Sequence, residues 1–233
     1  MKSRRPAGVL GAVAAVALVL GAVIALYWRD AVLWMRLRGV RQVYIHDMML
    51  GEHVVESRAA VAGAVRETIR FILSIEPKPR ADVEKVGYLS EVIFVSGAAR
   101  SDALALRLNS VDEDERVVIE FCGALYRCDR DAWYRYLKKV LSPLAPSLEA
   151  AWRSRKSDQE LDAAAALLLV APETEGLIDA LCRAASETPQ ALGVLAICSD
   201  EAPRIAECLE ALIAPPGTPA DGRGERDGAA VRK

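Results

Sequence analysis

Residues 88–95, YLSEVIFV, hold the choice between two fold classes. Their β-branched and aromatic side chains suit a pleated strand, and Val117–Phe121 offers a partner of similar composition. The segments on either side carry helical spacing, so the chain is read as all-α, with an α+β middle region as the alternative.

Working outward, Glu52 to Ile75 places Val55, Ala59, Ala62, Val65, Ile69 and Ile72 or Leu73 on one side of a long helix, which Pro77 and Pro79 end. Downstream, Ser110 and Glu113 have the spacing of a capping box, in which each side chain satisfies the other's backbone donor. Val117, Val118, Phe121, Cys122 and Leu125 follow at helical intervals. Trp133, Tyr136, Leu137, Val140 and Leu141 repeat the pattern up to Pro143. A second capping box, Ser157 to Glu160, precedes Leu161, Ala164, Ala165, Leu168 and Leu169. Further stripes are Leu177, Ile178, Leu181, Cys182 and Ala185, then Leu192 and Leu195 after Pro189, then Ile205, Cys208, Leu209, Leu212 and Ile213.

The composition agrees with a folded body. Of 233 residues, 52% are hydrophobic and 27% charged, which excludes a disordered chain, and the net charge of −2 excludes a generally basic nucleic-acid binder. That charge is uneven: residues 1–41 hold seven Lys/Arg against one acid, leaving 23 against 31 for the remainder. Pro6 to Trp28 is an uncharged run of 23 residues. At 1.5 Å per residue it covers a hydrocarbon core of about 30 Å, so it is expected to be a single-pass transmembrane helix, with signal-peptide cleavage near Ala25 as the alternative. Tyr27, Trp28, Arg29, Trp34, Arg36 and Arg38 are the expected membrane-interface residues, and the lipid bilayer is an expected partner. The basic N-terminal tail favours an N-in orientation with the domain on the non-cytoplasmic side. Five cysteines, an odd number without a CxxC pair, favour the cytoplasmic alternative.

The resulting organisation is a basic tail (1–5), the membrane helix (6–28), a basic juxtamembrane segment (29–41), a helical region (42–110), a repeat region (111–214) and a disordered tail (215–233). The repeat rests on two matches. Leu125 to Ala132 is similar to Leu195 to Ala202, and Val170 to Ile178 to Ile197 to Ile205, at an offset of 27. Helix, turn and helix with a period near 30 is the pattern of stacked helical pairs. On these residues, about 111–213, the chain resembles the HEAT-like α-solenoid class, with an irregular helical bundle as the other packing. The resemblance implies a protein-binding scaffold; fold alone does not fix function.

Chemistry-bearing clusters are sparse. His46 and His53, seven residues apart on a helix, are separated by about 10.5 Å along its axis, a gap one metal ion does not easily span unless a break at Gly51 brings them together. The acidic run Asp112 to Glu115 lacks the loop of a calcium site and suits a helix start. Arg127, Arg130, Tyr134 and Lys138 fall opposite the apolar stripe of their helix and form the expected partner-binding face. GxSxG, P-loop and HExxH patterns are missing. The expected function is therefore that of a membrane-anchored interaction or scaffold protein, not an enzyme. It would bind another protein, without cofactor, metal, nucleic acid or small-molecule substrate. The alternatives are a membrane-bound enzyme with an unrecognised site and an exported soluble domain.

Overall fold

The computed structural model describes residues 16–17, 19–21, 28, 30–78, 89–97, 103–111, 116–155, 161–199 and 202–213. Its centre is a seven-stranded, wholly antiparallel sheet. The strands are β1 (Gln42–Asp47), β2 (Gly51–Val55), β3 (Glu76–Lys78), β4 (Ser90–Val95), β5 (Leu104–Val111), β6 (Val117–Phe121) and β7 (Ala124–Cys128), in the order β2-β1-β4-β5-β6-β7-β3. The helices are α1 (Arg58–Ser74), α2 (Arg130–Leu141), α3 (Ala145–Ser154), α4 (Leu161–Val170), α5 (Leu177–Ala185), α6 (Pro189–Ile197) and α7 (Pro203–Ile213), with a 3-10 turn at Ser142–Leu144.

The all-α reading is thereby corrected. Within YLSEVIFV, Ser90–Val95 forms β4, which pairs with β1 and β5; β5 separates it from Val117–Phe121. The apolar positions of Val117–Phe121 also satisfy a period of two. Val117, Ile119 and Phe121 turn to one face, and the tight Cys122–Gly123 turn (φ +52° and +76°) sends the chain back as β7. The long helix expected from Glu52 begins only at Arg58. Gly51–Val55 is an edge strand, and Ser57 caps the helix by accepting from the Ala60 N–H at 3.2 Å. The helix ends at Ser74, ahead of Pro77, which sits in edge strand β3 where a missing N–H is tolerated.

One face of the sheet is apolar. Val43 and Ile45 of β1, Val92 and Phe94 of β4, Leu106 and Leu108 of β5, and Ile119 and Phe121 of β6 point the same way by register and share a core with α1 and α2. Residues of opposite alternation include the cross-strand ion pair Glu91–Arg107 at 2.8 Å. Helix α1 leaves edge strand β2 and delivers the chain to β3 at the far edge. Helix α2 packs on α1 through Phe71, stacked on Tyr136 with ring centres 4.5 Å apart.

Helices α3 to α7 extend the same core, since α4 touches both α2 and β2. The HEAT-like reading is corrected here too. Leu125–Cys128 is a strand and Leu195–Ile197 the end of a helix, so that match compares unlike structures. The match at offset 27 does compare two helix–turn–helix junctions, α4–α5 and α6–α7, but they stand beside a sheet.

The membrane reading is corrected as well. Among the described residues no helix is long and apolar enough to cross a membrane. Most of the run 6–28 lies outside the described residues, as do Tyr27, Arg29, residues 112–115, the capping box at 157–160 and the tail 215–233. The single-pass anchor and the location drawn from it are therefore withdrawn. Residues 30–37 are helical and turn Leu33 and Leu37 into the core, a contact a free interfacial segment would not make.

Candidate functional site

The end of the sheet where β1 stops and β4 starts carries buried polar groups. Asp47 closes β1 and is 3% exposed; its Oδ1 accepts the backbone N–H groups of Met49 (2.9 Å) and Leu50 (3.1 Å). This is the local bond by which aspartate builds a turn, and it fixes the β1–β2 connection. Gly51 completes the turn at φ +81°, a conformation that favours glycine.

Two C-terminal helices clasp this turn. Gln190 of α6 donates from Nε2 to the Met49 carbonyl (3.1 Å) and to Asp162 Oδ1 of α4 (3.0 Å). A Cβ on Gly193 would come within 2.9 Å of the Met49 sulfur, so the glycine lets the two segments approach.

Ser90 stands opposite Asp47 in the β1–β4 register and is 2% exposed. Among the described residues its hydroxyl has no hydrogen-bond partner. Both residues line a cavity of 160 Å³, together with Met48, Met49 and Leu89 from the turns and Leu108 and Val117 from β5 and β6. Arg130 and Tyr134 of α2 complete its wall.

Arg130 lies over the Tyr134 ring, 5.9 Å from its centre. Burial pushes the Tyr134 phenol up to about 12, and the negative charge of Asp47 pushes the same way, while the Arg130 charge pulls it down. At neutral pH Tyr134 is therefore an un-ionised hydroxyl between one negative and one positive side chain.

Of the face expected for partner binding, the structure brings Arg130 and Tyr134 together at this cavity. Lys138 follows one turn later on α2, half-buried, and Arg127 lies apart on β7. Trp28 and Trp34 are exposed, as are Arg36 and Arg38. Trp34 and Arg38 border a second concavity of 690 Å³ with Arg41, Arg58, Val61 and Val65.

His46 and His53 occupy adjacent strands but opposite faces. His46 Nδ1 meets Glu52 Oε1 at 3.0 Å, and His53 Nε2 meets the Leu50 carbonyl at 2.7 Å. No cluster able to hold a metal ion occurs among the described residues. Two of the five cysteines, Cys182 of α5 and Cys208 of α7, form a disulfide; Cys128 and Cys198 are buried thiols and Cys122 is exposed.

Asp47 and Ser90 escaped the sequence reading because both belong to strands taken for helix. Asp47 followed by Met-Met-Leu-Gly is a turn signal that a strand assignment would have exposed. No protein-family model, no curated protein and no solved structure matches this chain.

Proposed function

We propose that this protein is a binding module whose ligand, a small molecule with polar and apolar parts, occupies the cavity between Asp47, Ser90, Arg130 and Tyr134. The observation that carries this reading is the Ser90 hydroxyl, buried at the cavity wall and without a partner among the described residues. An unsatisfied buried hydroxyl costs about 1–3 kcal/mol, which a ligand group bonding to it recovers. Polar groups converging in an otherwise apolar pocket are the common form of a small-molecule site. The test is a thermal-shift screen of small molecules against the wild type and a Val117→Phe variant that fills the cavity. Compounds that stabilise the wild type and not the variant support the reading. A screen that stabilises neither protein, or both alike, overturns it.

A second reading, a docking surface for another protein, is favoured by the larger concavity. Trp34 is 50% exposed at its rim, and Arg38, Arg41 and Arg58 make no ion pair among the described residues. Exposed Trp and Arg are the side chains enriched in protein interfaces. Cross-linking from position 34 in cell extract, followed by Trp34→Ala, checks it. A partner that Trp34→Ala fails to weaken argues against this surface.

A further inference from the structure

We infer that the cavity selects a free α-amino acid with an apolar side chain; this rests on reading the cavity as the binding site. The lining holds one carboxylate, Asp47, and one guanidinium, Arg130. Arg130 makes no ion pair among the described residues and lies over the Tyr134 ring. A guanidinium is a fork matched to a carboxylate. Asp47 spends Oδ1 on two backbone N–H groups and remains a buried negative charge that an ammonium group complements. Asp47, Arg130 and Tyr134 line the same cavity, so both charges address one small volume.

A ligand carrying only a negative charge meets Asp47, and one carrying only a positive charge meets Arg130. A zwitterion satisfies both. The Ser90 and Tyr134 hydroxyls add neutral donors beside the guanidinium, and Met49, Leu108 and Val117 supply an apolar wall for the side chain. The volume of 160 Å³ is several times the roughly 30 Å³ share of one water. That suits a group the size of a single amino acid.

The test is calorimetric titration of L-leucine and L-methionine, their N-acetyl and carboxamide derivatives, and the variants Arg130→Gln and Val117→Phe. Arg130 lies at the exposed start of α2, so its variant keeps the wild-type melting temperature, which is measured alongside. The expected result is binding of both free amino acids. Each derivative and Arg130→Gln weakens it about tenfold or more, the scale of one charged hydrogen bond. Val117→Phe abolishes it. If neither amino acid binds up to about 10 mM while another compound gives a Val117→Phe-sensitive shift, the ligand class is wrong and the cavity reading survives. Derivatives that bind as well as the free amino acids also overturn the class. Amino-acid binding unchanged in Val117→Phe places the site elsewhere and overturns both.

Discussion

Tyr136 shows how one hydroxyl ties the sheet-covering helices together. It is 3% exposed, with its hydroxyl 2.9 Å from Thr68 Oγ1 of α1. Thr68 spends its own proton on the Ala64 carbonyl at 2.8 Å, so Tyr136 is the donor. Tyr136→Phe removes that bond while Thr68 keeps a partner. The expected cost is about 1 kcal/mol, read as a fall of about 2–4 °C in melting temperature. Two other groups, the buried Cys128 and the half-buried Tyr134, contribute to the alkaline limit. Burial, with the charge of Asp129, pushes the Cys128 thiol from 9.0 up to about 12, and the Tyr134 phenol rises from 10.0 to about 12. Below about pH 8 both are protonated in the folded and unfolded chain alike and neither changes the stability. Above it the unfolded chain releases protons that the folded chain holds, so stability falls until pH passes about 12. Each group steepens that fall by up to about 1.4 kcal/mol per pH unit. Urea titrations between pH 8 and 11 are expected to show the decline, and Cys128→Ala to make it shallower.

The elements carry their own points of failure. Gly51 ends the β1–β2 turn at positive φ, and a Cβ there would sit 2.4 Å from the Asp162 side chain. Gly51→Ala is therefore expected to cost more than about 1 kcal/mol, through backbone strain and a displaced α4. Denaturant unfolding measures the loss, and faster amide exchange in α4 identifies its route. At the other end, α7 buries Ile205 and is held by the Cys182–Cys208 disulfide and by Arg204 Nη2 on Asp179 Oδ1 at 2.7 Å. Closing a loop across 26 residues stabilises by about 3–4 kcal/mol in the chain-entropy account. Cys208→Ser is expected to lower stability by up to that amount, with the increased exchange confined to α7 and its contacts on α5 and α6.

At the scale of the molecule, a single apolar core runs from Leu33 through the sheet to Ile205. Trp133 lies in its sheet-side part and Trp152 among the C-terminal helices, both nearly fully buried. Far-UV dichroism and the fluorescence of Trp133 or Trp152, each observed with the other three tryptophans replaced by Phe, are expected to give coincident unfolding curves. Separate midpoints would show that the helices unfold apart from the sheet. The continuity also explains what the sequence disclosed. Trp133, Tyr136, Leu137, Val140 and Leu141 were legible as a helical stripe because α2 buries one side against α1 and the shared core. Val117–Phe121 was not, because a buried strand places apolar residues at nearly every position and satisfies either period. Within the site, Arg130 and Tyr134 were legible as a pair one helical turn apart. Asp47 and Ser90 were not, since their meeting depends on strand register between residues 43 apart in the chain.

The sheet order has a consequence for the growing chain. Among the described strands β3 is made early yet pairs with β7, and β1 waits for β4 to cover its second edge. A polypeptide emerging from the ribosome therefore exposes its first hairpin and α1 with an unfilled edge until β4 to β7 have followed. Chains arrested before Cys128 are expected to be the protease-sensitive and aggregation-prone lengths, and synthesis past that residue to close the sheet in one step.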